Sequence, residues 1–190
     1  LVQWQMRPYK DIDDLFEQVE FFVDSVSDYK SDFVLFPEYF NAPLMSKFND
    51  MGEAQSIRGL AQYTEKIRDR FVELAISYNI NIITGSMPYV KEDGGLYNVG
   101  FLCRRDGSVD MYEKIHVTPD EQKSWGLSKG NRVQTFDTDC GRIGVLICYD
   151  VEFPELSRLM AEDGMQILFV PFNTDTQNAY ARVKVCAQAR

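Results

Sequence analysis

Residues 143–154 read Ile143-Gly144-Val145-Leu146-Ile147-Cys148-Tyr149-Asp150-Val151-Glu152-Phe153-Pro154. The first five form an apolar run of strand length. Pro154 suits the first turn of a helix, which the pattern carries to about Asp163. Cys148 therefore falls where a strand ends and a helix is about to begin. Backbone N–H groups at such a junction favour a thiolate and can also bind an oxyanion. Taken alone, the position fits a core residue better, because free cysteine packs as a small hydrophobe and would extend Val145-Leu146-Ile147.

Outward from this junction, strands and helices alternate. Ile167-Leu168-Phe169-Val170 reads as the next strand downstream, and a further strand spans Val133 to Asp137 upstream. Between about Val117 and Asn131 lies a polar loop, longer than most connections in a compact domain. Turn signals at Asp93-Gly94-Gly95 and Asp106-Gly107-Ser108 mark antiparallel hairpins. Nearer the start, Ile12, Leu15, Phe16, Val19, Phe22, Val23 and Val26 recur at helical spacing behind the capping residue Asp11. Strands are expected over 1–6, 32–36 and 81–86, and helices over about 60–78 and 180–190. Alternation interrupted by hairpins predicts an α/β (α+β layered) domain with a mixed sheet.

The 190 residues suit one domain, 1–190, and 45% hydrophobic with 13% aromatic content supplies a full core. A formal net charge of −9 argues against nucleic acid and against an anionic membrane surface as partners. No apolar run reaches the roughly 18 residues of a spanning helix. The cysteines, Cys103, Cys140, Cys148 and Cys186, form no C-x-x-C pair, and His116 is the single histidine. That composition argues against a metal site and for a reducing, cytoplasmic setting. The opening at Leu1 and the unterminated helical pattern at the other end suggest an excerpt of a longer chain.

Three further positions have chemical potential. Glu38 follows a strand inside Phe36-Pro37-Glu38-Tyr39-Phe40, where apolar flanks would desolvate the carboxylate and raise its pKa toward a general base's range. Lys114 sits in Tyr112-Glu113-Lys114-Ile115-His116, where a strand runs out into the long loop, and Glu121 lies further along it. Each also reads as an ordinary surface charge. His116 invites a Cys–His pair or, as a lone histidine, a structural role.

Taken together, Phe36-Pro37-Glu38, Glu113-Lys114-Ile115-His116 and Ile147-Cys148-Tyr149-Asp150 with Phe153-Pro154-Glu155 resemble, in order, the motifs of the nitrilase (carbon–nitrogen hydrolase) superfamily. The resemblance implies an α-β-β-α sandwich whose C-terminal part lies beyond this chain. It also implies hydrolysis of a small linear amide through a thioester. Cys148 would be the nucleophile, Glu38 the base, and Lys114 with the Tyr149 N–H the oxyanion donors. Glu121 would support Lys114, and His116 would position the loop and substrate. Tyr149 in place of tryptophan points to the amidase side rather than to nitriles, with carbamoyl compounds as an alternative. No metal or organic cofactor is implied, and a homo-oligomer, dimer or larger, is expected. The opening also resembles a branch carrying a preceding acetyltransferase domain. Two other readings stay open: a Cys148–His116 hydrolase, and a non-catalytic binding or assembly module.

Overall fold

The computed structural model describes residues 1–173; the helix expected over 180–190, and Cys186, lie outside them. Helix α1 (Ile12–Asp28) starts at Asp11, whose side chain accepts from the N–H groups of Asp13 and Asp14. It buries Ile12, Leu15, Val19 and Val23, one apolar stripe at helical spacing. Five strands make the first sheet: β1 (Phe33–Leu35), β2 (Asn81–Ile83), β3 (Met87–Val90), β4 (Leu96–Cys103) and β5 (Val109–Glu113). β1 and β2 pair in parallel, while β3 and β5 pair antiparallel with β4. β2 and β3 both pair with β4, at opposite ends of that long strand, and β5 joins it as a hairpin closed at Asp106-Gly107. The second sheet is β6 (Thr135–Thr138), β7 (Gly141–Val145) and β8 (Ile167–Phe169), with β7 central.

The layering follows from which side chains share a core. α1 and α3 (Thr64–Ser77) pack with Phe36, Phe40, Phe71 and Ile82 in one apolar cluster on the outer face of the first sheet. Leu35, Ile83, Leu102 and Tyr112 from the first sheet meet Phe136, Ile143, Val145 and Ile147 of the second. Leu156 and Met160 of α5 (Pro154–Glu162) cover Leu146 behind the second sheet. The order is thus helix, sheet, sheet, helix: the expected α-β-β-α sandwich. Among the described residues no helix is long and apolar enough to cross a membrane.

Three local expectations differ. Residues 1–6 form no strand: Val2 donates one bond to Leu35 O, and Trp4 anchors the segment by its ring against Phe22, Phe36 and Phe40. The helix expected over 60–78 is broken. α2 (Glu53–Leu60) and a 3-10 turn (Ala61–Tyr63) precede α3, because Ile57 and Leu60 already reach the core. The long loop contains a short helix, α4 (Pro119–Ser124), begun by a capping box in which Thr118 and Glu121 satisfy each other's backbone N–H.

The bend between β2 and β3 is fixed by Gly85 at φ +72°, where a Cβ would sit 2.0 Å from Pro37 O. Tyr112 O–H donates to Gly85 O across the sheet. Gly85→Ala combines a disfavoured φ with a collision against backbone, so it should lower stability by about 2–4 kcal/mol in urea unfolding. A loss under about 0.5 kcal/mol, the level of an ordinary surface change, would contradict this account of the bend.

Candidate active site

The Gly85 bend brings Ser86 back beside the strand that carries Glu38. Glu38 and Ser86 form a parallel bridge, and Tyr39 N–H donates to Ser86 O (2.8 Å). Tyr39 sits at φ +53°, a left-handed conformation rare outside glycine that ends the extended run just after Glu38. Lys114 follows β5, its N–H on Asn98 O (2.9 Å), so Lys114 and Asn98 are neighbours across two strands. Asn98 Nδ2 and Lys114 Nζ both donate to Glu38 Oε1, at 3.0 and 2.8 Å. Lys114 Nζ also donates to Glu121 Oε1 (2.8 Å), which accepts from Tyr39 O–H as well (2.9 Å). Glu121 Oε2 is held by Thr118 N–H (2.7 Å), so the capping box that starts α4 also aims Glu121 at Lys114.

Cys148 reaches this cluster from the second sheet. It lies just past β7 at φ +46°, with its N–H on Pro171 O (3.0 Å), and opens a 3-10 turn over Cys148–Glu152. Its thiol lies close enough to Glu38 for each group to shift the other's titration. Left-handed backbone at both Tyr39 and Cys148 costs roughly 1–2 kcal/mol per residue, and such strain gathers at functional sites. The structure therefore brings Glu38, Lys114, Cys148 and Glu121 together, from both sheets and α4. Tyr149 stands in the same turn as Cys148, its ring edge-on to Phe153.

His116 is elsewhere engaged. Its Nδ1 lies 3.0 Å from Asp150 Oδ1, and its ring stacks on Phe153 at 3.6 Å between centroids. Asp150, Asn98 and Tyr39 were not singled out in the sequence. The motif Thr-x-x-Glu at Thr118–Glu121 was a readable capping signal; nothing local pointed to the other three.

Burial decides the electrostatics. Glu38, Lys114 and Glu121 are 2%, 2% and 4% exposed. Desolvation raises the Glu38 carboxyl above its ordinary range, despite the opposing pull of Lys114. Desolvation pulls the Lys114 amine down, but Glu38 and Glu121 outweigh it and hold the ammonium above the usual lysine value. The Cys148 thiol is pushed up to about 12, first by burial and then by the Glu38 charge, with Lys114 and the Asn173 N–H opposing. The strand–helix junction thus does not yield a resting thiolate. The sulfur keeps its proton beside the Glu38 carboxylate. An ammonium has three donors. Two serve Glu38 and Glu121, so one N–H of Lys114 has no acceptor among the described residues. The arrangement can pass a proton from sulfur to carboxylate and offer a cationic donor to a developing negative charge. Among the described residues no three His, Cys, Asp or Glu side chains are grouped to hold a metal ion.

The family model described as carbon-nitrogen hydrolase matches residues 1–190. The chain is 44% identical, over its whole length, to the probable hydrolase YhcX of Bacillus subtilis, covering 37% of that protein. It is 36% identical over 162 residues to the omega-amidase NIT2 of Homo sapiens, an alignment covering 77% of this chain and 54% of the relative. The chain thus spans about a third to a half of these relatives' lengths. The crystal structure of Saccharomyces cerevisiae Nit3, a member of branch 10 of the nitrilase superfamily, superposes with a TM-score of 0.76 at 25% identity. It covers 98% of this chain and 68% of its own.

Lys114→Met leaves two buried carboxylates without their cation, a loss of about 3–5 kcal/mol for pairs of this kind. Glu38, already raised, rises further without Lys114. A carboxyl raised in the fold favours folding when protonated and loses that contribution as pH climbs through its folded value. The variant's deficit against wild type should therefore be larger near pH 8 than near pH 5, read from urea midpoints. Equal deficits at both would contradict the buried pairing.

Proposed function

The chain belongs to the carbon-nitrogen hydrolase family, and on that footing we propose that it hydrolyses a small linear amide through a thioester on Cys148. The observation that carries the reading is the meeting of three groups: Lys114 Nζ 2.8 Å from the Glu38 carboxylate, and the Cys148 thiol near enough to be shifted by both. Relatives named as omega-amidases support an amide over other carbon–nitrogen bonds.

In this mechanism Glu38 takes the thiol proton as Sγ bonds to the amide carbon. The carbonyl π-pair moves onto oxygen. The third N–H of Lys114 and the backbone N–H of Tyr149 stabilise that oxyanion, a role in which one lost donor costs about 10²–10³ in rate. The Glu38 carboxylic acid next protonates the nitrogen, the C–N bond breaks, and ammonia or an amine departs. A water then attacks the thioester carbon while Glu38 accepts its proton. The C–S bond breaks, the acid product leaves, and the sulfur regains a proton from Glu38. The raised carboxyl suits this shuttling, because a base must also give its proton back near neutral pH. Glu121 holds Lys114 in place through Oε1 and is itself pinned by Thr118.

Cys148→Ala should fold as wild type and lose turnover by at least about 10³-fold. Mass spectrometry of the wild type quenched during turnover should find the acyl group on Cys148. Ammonia release from a panel of linear amides, carbamoyl compounds and nitriles should be fastest for the amides. Full activity in Cys148→Ala would rule out the mechanism, and preference for a carbamoyl compound or a nitrile would move the substrate class.

A further inference from the structure

Asp150 is 1% exposed and lies outside the Glu38–Lys114–Glu121 cluster, yet both its carboxylate oxygens are engaged. Oδ2 accepts from Ile115 N–H (3.1 Å), and Oδ1 from His116 N–H (2.6 Å) and His116 Nδ1 (3.0 Å). An ionised carboxylate can only accept, so the Nδ1 contact is a hydrogen bond when the proton sits on Nδ1. The Asp150 N–H itself donates to Ile147 O (3.0 Å), in the turn that begins at Cys148. One side chain thus ties the two residues after Lys114 to the turn that holds the nucleophile. Phe153, five residues beyond Cys148, closes the arrangement by stacking on the His116 ring at 9° between planes.

Lys114 and Cys148 come from different sheets, so β-ladder bonds do not fix their separation. Packing alone between Leu102, Tyr112, Ile143 and Val145 tolerates small slips, whereas three charge-assisted bonds to one carboxylate do not. We propose that Asp150, with His116, is a positioning clamp that sets the distance and angle of Lys114 relative to the Cys148 sulfur. The proposal rests on the catalytic reading of Lys114 and Cys148 given above. Displacements near 1 Å at a reacting centre cost on the order of 10²-fold, which sets the scale expected of its loss.

The direct test is Asp150→Asn in the full chain, whose amide cannot accept from both backbone N–H groups through the same pair of oxygens. Alkylation of Cys148 by iodoacetamide, in which the sulfur displaces iodide, reports on the sulfur without requiring turnover. The groups acting on that sulfur are Glu38, Lys114, Tyr39 and the Asn173 N–H. Lys114 is the cation among them, so a slipped Lys114 weakens the thiolate. The rate near pH 8, per folded protein, should fall at least about fivefold. With propionamide as substrate, kcat should fall at least about tenfold with KM within about threefold.

His116→Ala should reproduce part of both losses, and His116→Asn, whose Nδ2–H stands where Nδ1–H does, should restore them to within about threefold of wild type. If Asp150→Asn fails to fold, this histidine pair carries the test. A variant that melts earlier but alkylates within twofold of wild type, or faster, would overturn the clamp and leave a purely structural aspartate. If wild type hydrolyses no amide while Asp150→Asn still slows alkylation, the clamp stands and the amidase reading fails.

Discussion

A lysine side chain loses its hydration when it is sealed inside a protein, and it stays charged only if anions replace the water. Lys114 is sealed to 2% exposure, and two carboxylates, Glu38 and Glu121, stand in for the solvent at 2.8 Å each. Much of the site's geometry serves that exchange. Asn98 and Tyr39 spend their donors on the same two carboxylate oxygens, and α4 begins where Thr118 can pin the second glutamate. The ion cluster is a costly feature of the fold. On the proposed function its use is chemical, since it leaves one ammonium N–H with no protein acceptor among the described residues.

The sulfur is drawn into the same balance. A local argument from the strand end predicts a ready thiolate, but burial and the adjacent Glu38 charge outweigh the backbone N–H and Lys114. The consequence is a neutral thiol beside the carboxylate that would deprotonate it. On the proposed mechanism, proton and charge would move only a short distance when an electrophile arrives, and no reactive anion would be exposed between turnovers. Strained backbone at Tyr39 and Cys148 presents the two partners from opposite sheets. The apolar contacts between Tyr112 and Ile143, Val145 and Phe136 hold those sheets face to face.

Much of this could be read in the chain before any coordinates. α1 and its Asp11 cap, the β4–β5 hairpin at Asp106-Gly107, and strand β7 just ahead of Cys148 all follow local rules of period and turn chemistry. Glu38, Lys114 and Cys148 were accessible because each follows a strand within a recognisable motif. What escaped was set by partners remote in sequence. Asp150 answers to residues 34 and 35 positions away, Asn98 to one 60 away, and Tyr39 to one 82 away. No window along the chain contains those pairs. The broken helix before α3 escaped for another reason: Glu53–Leu60 carries so many polar residues that its buried Ile57 and Leu60 define no clear period.

Glu38 and Cys148 sit coupled in a buried, charged setting, each shifting the other's titration. The pH dependence of Cys148 alkylation by iodoacetamide, compared between wild type and Glu38→Gln, tests that coupling most directly. The account predicts a wild-type rate still climbing above about pH 9, since the thiol is held high by burial and by the Glu38 charge. In Glu38→Gln, with that charge gone, the midpoint should move down even as amide turnover collapses. A wild-type midpoint below about pH 7, or one that the substitution leaves in place, would show that sulfur and carboxylate are not coupled.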